Sequence, residues 1–245
     1  MSLRALFPFA CLAVIAGCQP SGQNSNAPVP PEEVAEATAP DRSGRDPQAP
    51  DSYQVLFETT KGEVVIEIDR SLAPRGADRF HRLVSEGFFD GARFFRVLPG
   101  FVAQFGLNGD PAVNAQWKDA VIPDDRVRGS NTPGTVTFAT SGPNSRTTQL
   151  FINLGNNTSL DGMGFAPIGK VIKGMEAVEQ FYNGYGEGPP GGNGPNQQRI
   201  TFEGNAYLDQ EFPELDAIKT ARVISENGDP VVEESSPEPE TPAEE

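Results

Sequence analysis

Between positions 92 and 106 the chain reads ARFFRVLPGFVAQFG, and a permanently charged side chain stands there among phenylalanines. Ala92, Phe94, Phe95, Val97, Leu98, Phe101, Val102 and Phe105 would suit any apolar core, whereas Arg96 and Gln104 would not. A guanidinium stays ionised in a protein and presents its N–H donors in one rigid plane. Such a group can hold and polarise a carbonyl or an amide without acting as acid, base or nucleophile. The ordinary alternative is an arginine stacked on aromatic rings or paired with a carboxylate. On this stretch alone both readings stand.

Other catalytic chemistries lack their residues. The chain has one histidine and two cysteines, and Cys11 and Cys18 both lie in its first 18 residues. Zinc sites and histidine-based triads are therefore excluded, and no metal or cofactor is expected. His81 lies in a helical pattern between Arg79 and Arg82 and reads as structural. GYGEG at 184–188 superficially suggests a phosphate loop, but no strand pattern precedes it and no helix pattern opens from it. Asp124-Asp125 would serve either as a hard-cation ligand pair or as a surface turn, and Trp117 points to nothing definite.

The formal charge of −15 is concentrated at the ends, with eight acids and no base in residues 226–245. An acidic chain without a basic stripe excludes nucleic acid as a partner. At the N-terminus, MSLRALFPFACLAVIAGC has one basic residue and then an apolar run from Ala5 to Ala16. That run is too short to span a bilayer, which takes roughly 20 residues, and reads as an export signal over 1–18. IAGC at 15–18 resembles a bacterial lipobox, which implies lipidation of Cys18; the plainer alternative is an ordinary signal with an incidental cysteine. An exported, lipid-anchored protein of the bacterial envelope is the expectation, on the outer membrane facing the periplasm if the host has one. Residues 19–52 are rich in Pro, Ala, Ser and Glu and predict a disordered linker; 226–245 predict a disordered acidic tail.

The elements that must position Arg96 lie in 53–225. YQVLFETT and EVVIEID read as strands joined by a hairpin at Lys61-Gly62, with Val64, Ile66 and Ile68 on the buried face. Ala77, Phe80, Leu83 and Val84 predict a helix opened by Pro74 and closed by Gly87. Further strands are predicted over 93–98, 101–105, 134–140, 149–154, 166–172 and 221–224, and a second helix over 174–184. Glycine-rich loops cover 106–133 and 184–199, a length that points to function. Many short strands with two helices suggest a β-barrel or sandwich with helices at its ends.

Three stretches together resemble the cyclophilin family of peptidyl-prolyl cis–trans isomerases: FFRVLPGFVAQFG, GTVTFATSGPNSRTTQLFIN and SLDGMGFAPIGKVIKGMEAVE. They occur in the family's order between Tyr53 and Ile224. The resemblance implies a mainly β fold, an eight-stranded antiparallel barrel capped by two helices, with a proline-binding groove on its outer face. By motif, Arg96 takes the place of the catalytic arginine and Gln104 that of the groove glutamine. Phe101, Val102, Phe151 and Leu160 would line the proline pocket, while Gln149 and the Ala139-Thr140 backbone would hold the substrate main chain. The implied partners are proline-containing polypeptides, and the implied state is a monomer. The pattern is broken by Phe95 in place of a histidine, Phe105 of a glycine, Leu150 of a phenylalanine and Thr140 of an asparagine. Ser159 stands where an aromatic is common, and Met163-Gly164-Phe165, one residue longer, replaces the histidine after Leu-Asp-Gly. The rival readings are a non-catalytic module of this fold that binds proline segments, and a lipid-anchored spacer.

Overall fold

Two-residue alternation sets the strands, and it places every second side chain inside. The computed structural model describes residues 46–231. β1 (Ser52–Thr59) and β2 (Gly62–Asp69) form the hairpin, in register from Thr59 opposite Gly62 to Ser52 opposite Asp69. Tyr53, Val55 and Phe57 from the first strand and Val64, Ile66 and Ile68 from the second enter one core. The amphipathic helix α1 (Pro74–Ser85) closes that core with Ala77, Phe80, Leu83 and Val84.

β3 (Arg96–Leu98), β4 (Val102–Phe105), β5 (Thr135–Phe138), β6 (Leu150–Asn153), β7 (Pro167–Lys173) and β8 (Ile218–Glu226) follow, with a two-residue β9 (Asp229–Pro230). All pair antiparallel in the order β3-β4-β6-β5-β7-β2-β1-β8-β9. Among the described residues the sheet thus has nine strands rather than the expected eight, and its ladder does not close. Its ends approach only through an isolated bridge between Arg93 and Ala217, flanked by bonds such as Phe94 N to Asp216 O at 2.9 Å. The ninth strand is the start of the expected tail folding back on β8. Asn227 and Gly228 turn it with φ of 50° and 90°, the left-handed pair that a tight hairpin requires.

The opposite end of the folded unit also starts earlier than the composition suggested. The expected linker over 19–52 includes residues 46–51, and these pack against α1: Ala49 joins the core. Arg79, fully buried in α1, donates Nε to Asp46 Oδ2 at 2.8 Å and Nη1 to the carbonyls of Ala120 and Thr147 at 2.6 and 3.0 Å. Burial pushes the Arg79 guanidinium below its ordinary pKa, and the Asp46 carboxylate opposes that shift.

Helices account for the largest difference from expectation. The predicted helix over 174–184 is a single turn, α3 (Met175–Val178). Two others lie where loops or nothing regular was expected. α2 (Pro111–Trp117) is capped by Asp110, whose side chain accepts from Ala112 N at 2.8 Å. α4 (Gln197–Glu211) is capped by Asn196 and broken at Gly204. Ile200, Tyr207 and Leu208 of α4 with Phe212 and Leu215 make a second, smaller core against Phe95 and Leu107. A short 3-10 helix (Thr158–Met163) precedes β7. No helix among the described residues is long and apolar enough to cross a membrane, and none of them groups three or more metal-ligating side chains. Cys18 and the leader lie outside the described residues, as do 19–45 and 232–245.

Candidate active site

Alternation decides which side chains reach the outer face. Ala103 and Phe105 of β4, Leu150 and Ile152 of β6, and Val136 and Phe138 of β5 turn into the core. Their neighbours therefore turn outward, and the register aligns them: Arg96 opposite Gln104, Gln104 opposite Phe151, Phe151 opposite Thr137. Arg96, Gln104 and Phe151, on three adjacent strands, thus line one cavity, while Thr137 on the fourth strand is buried beside them and bonds Asn131.

That cavity holds about 350 Å³, at the lower end of the roughly 300–1,000 Å³ usual for ligand sites. Its walls bring together Arg96, Phe101, Val102, Gln104, Phe151 and Leu160, with Ala139 and Thr140. Gln149 is the expected site residue that does not line it. Gln149 lines an adjoining polar cavity of about 440 Å³, which shares Gln104, Ala139, Thr140 and Gln197 with the first. Ala139 N already donates to Gln149 O at 2.9 Å, so the Ala139 N–H is not available to a ligand. The Thr140 hydroxyl is bonded to the Gly142 carbonyl and to Ser145 Oγ.

Three residues complete the cavity that the sequence reading did not assign: Phe165, Glu187 and Gln197. Phe165 sets its ring edge-on to Phe151 with centroids 5.9 Å apart. It belongs to the stretch after Leu160-Asp161-Gly162 that is one residue longer than the family pattern, and it supplies an aromatic wall where Ser159 is exposed. Glu187 accepts from Arg96 Nε and Nη2, both at 2.7 Å. The paired guanidinium holds the Glu187 carboxyl below its ordinary pKa, against the opposing effect of burial. Glu187 falls within GYGEG, whose glycines suggested only a phosphate loop, although the length of the 184–199 segment did point to function.

The polar groups form one chain. Glu187 binds Arg96, Arg96 Nη1 donates to Gln104 Oε1 at 3.1 Å, and Gln104 Nε2 donates to Gln149 Oε1 at 2.9 Å. The Arg96 guanidinium carbon also lies 5.5 Å from the centre of the Phe101 ring. Both ordinary roles of a partly buried arginine, aromatic stacking and carboxylate pairing, are therefore realised at a residue that also faces a cavity.

A second polar network fixes the rim. Asp161 accepts from Ser130 Oγ at 2.5 Å, Asn131 N at 2.9 Å and Asn131 Nδ2 at 2.7 Å. Burial would raise the Asp161 pKa, yet these bonds hold it below the ordinary value. Asn157 Nδ2 donates to the Phe101 carbonyl at 2.8 Å and to Asn153 Oδ1 at 2.7 Å. The two sides of the cavity mouth, Phe101 and the 3-10 helix with Leu160, are thereby tied to the sheet.

The departures from the family pattern have structural reasons. Phe95 is buried in the second core under α4, a place for an apolar ring and not for a histidine. Phe105 meets Phe57, Phe89 and Phe94 at 5.3–5.6 Å in the main core, and Leu150 is buried beside it. Asp125 proves to be neither cation ligand nor surface turn. Its buried carboxylate accepts from Arg75 N, Gly76 N and Arg146 Nη2 at 2.9–3.1 Å, which anchors the start of α1. His81 pairs with Glu226 and meets the Tyr53 ring, as a structural residue would.

The family model described as cyclophilin type peptidyl-prolyl cis-trans isomerase matches residues 54–203. A peptidyl-prolyl cis-trans isomerase of Acinetobacter baylyi is 36% identical over 135 residues, covering 53% of this chain and 71% of the relative. One of Dickeya dadantii, named peptidyl-prolyl cis-trans isomerase A, is 37% identical over 139 residues with the same coverage. Among solved structures, a cyclophilin type isomerase of Cryptosporidium parvum superposes with a TM-score of 0.53 at 20% identity, covering 71% of this chain and 98% of that one. A second structure, obtained with the dipeptide Ala-Pro, gives 0.51 at 19% identity and covers 70% and 99%. At such identity these structures speak for the fold alone.

Proposed function

The chain belongs to the cyclophilin-type peptidyl-prolyl cis-trans isomerase family, and on that premise we propose that it accelerates rotation about X–Pro bonds in polypeptides. The observation that carries the proposal is Arg96 lining the same cavity as Phe101, Val102, Phe151 and Leu160. Isomerisation breaks no covalent bond. Its barrier of about 18–20 kcal/mol is the amide resonance lost as the C–N bond twists, and the uncatalysed reaction takes tens to hundreds of seconds. In the twisted amide the nitrogen regains its lone pair. A donor aimed at that nitrogen, or at the prolyl carbonyl, binds the twisted state more strongly than the planar one, and this difference lowers the barrier. Arg96 is the donor and Gln104 sets its plane. The apolar lining holds the pyrrolidine ring while the preceding residue turns, and Gln149 with the Ala139 carbonyl and Thr140 binds the substrate main chain.

Exchange NMR on a short X–Pro peptide, with wild type and Arg96→Ala, tests this reading. Accelerated exchange that falls by about 10²–10³ in the variant is expected for loss of a transition-state donor. Equal, slow exchange with both proteins would make the chain a binding module for proline segments.

The leader supports a further part of the reading: export and anchoring to the envelope through a lipid on Cys18, with exported proteins as clients. Labelling cells with a radioactive fatty acid tests it, since the label must vanish in Cys18→Ser.

A further inference from the structure

Resting on that reading, we propose that Glu187 is a positioning residue for the reaction: it clamps Arg96 so that the guanidinium's unused N–H groups are held toward the cavity. Arginine presents five donors in a fixed plane on a flexible stem. Glu187 takes Nε–H and one N–H of Nη2, Gln104 takes one of Nη1, and two donors are left. Three anchored bonds define the plane completely, so the remaining two are oriented before substrate arrives. Positioning of this kind removes rotational freedom that the reaction would otherwise have to overcome.

The surrounding chain is built to hold this carboxylate in place. Gly188 N donates to Glu187 Oε1 at 3.0 Å, and Gly194 N donates to the Glu187 carbonyl at 2.8 Å. A Cβ at position 192 would come within 2.3 Å of that carbonyl oxygen, and one at 191 within 2.8 Å of Glu187 Cγ. The glycine-rich segment thus wraps around Glu187 as closely as a backbone can. The wrap is fastened by Tyr185, whose ring meets Phe212 of the second core edge-on at 4.9 Å. A surface ion pair of two long side chains contributes little. This one lines a cavity, has ideal bidentate geometry and carries a dedicated loop.

Exchange NMR of an X–Pro peptide with the full chain separates the outcomes. Glu187→Ala should lower kcat about ten- to hundredfold with little change in KM, the range known for small misplacements of a reacting group. Glu187→Gln, which keeps the shape but loses the charge and one acceptor, should fall between. In the Arg96→Ala background, Glu187→Ala should change nothing, because its effect passes through the guanidinium. The Arg96 Nε–H resonance should be sharp and slow to exchange with water in wild type and lost in Glu187→Ala. An active wild type with equally active Glu187 variants overturns the clamp alone. Faster variants overturn it in favour of a carboxylate that obstructs the arginine. An inactive wild type overturns the isomerase reading itself, and with it any role of Glu187 in turnover.

Discussion

Arg96 and Gln104 face each other directly across the β3–β4 ladder, with Nη1 donating to Oε1 at 3.1 Å. The strands are joined by only three residues, so the hairpin creates this contact by itself. The next link, Arg96 to Glu187, spans 91 positions and exists only once the distant segment has docked. The stability of that docking should therefore appear in the activity of the site.

Phe95 tests the coupling. It is buried beneath α4 and does not line the cavity. Phe95→Ala should cost about 3–5 kcal/mol, as truncating a buried ring does, measured by denaturant unfolding. It should also lower peptide isomerisation, because the second core holds the segment that carries Glu187. Phe95→Leu should largely preserve both.

Leu160 is partly exposed at the cavity and belongs to neither core, so its truncation should act on substrate. Leu160→Ala should raise KM about tenfold through lost apolar contact, leaving kcat unchanged. A fall in kcat with constant KM, seen in the same exchange experiment, would remove Leu160 from the proline pocket.

Asp161 gives a pH dependence of definite sign. Its carboxyl is held below the ordinary value in the folded protein. It therefore contributes stability that is complete above the unfolded pKa of about 3.9 and is lost as pH falls through the lower folded pKa. Asp161→Asn keeps one oxygen for the two Asn131 donors but puts an amide nitrogen, which cannot accept, opposite Ser130 Oγ, and should be less stable than wild type at neutral pH by about 1 kcal/mol. The gap should close in acid. Urea midpoints of the two proteins between neutral pH and pH 2.5 measure it, and a gap that widens in acid contradicts the assignment.

Asp46 marks where the folded unit begins. Asp46→Ala leaves the buried Arg79 guanidinium without its carboxylate and should cost about 3–5 kcal/mol in thermal or denaturant unfolding. A chain starting at Ser52 should lose at least as much, since Ala49 leaves the core as well.

Much of this protein was legible in its sequence because the decisive signals are local. Alternation in EVVIEID, the helical spacing of Ala77, Phe80, Leu83 and Val84, and the ordered stretches around Arg96, Gln149 and Leu160 led to a mainly β unit and to the residues that line the cavity. Several local signals carried more than was read from them. Asp110-Pro111 is a helix start, Asn196 a cap, and Asn227-Gly228 a hairpin turn, yet each sits in glycine- and proline-rich surroundings that favour a loop reading. Tertiary contact alone decided the rest. The Asp46–Arg79 pair lies in a segment whose composition predicts disorder, and a single buried ion pair leaves no trace in composition. Phe95 reads as a lost histidine until α4 lies over it. Glu187 is one acid among many in an acidic chain, and nothing near it in sequence names its partner. The sequence by itself determined eight of the nine strands and which faces they bury, because strand periodicity and turn chemistry act over a few residues. The structure decided where the segment carrying Glu187 docks, because that depends on apolar surfaces from distant parts of the chain meeting in three dimensions.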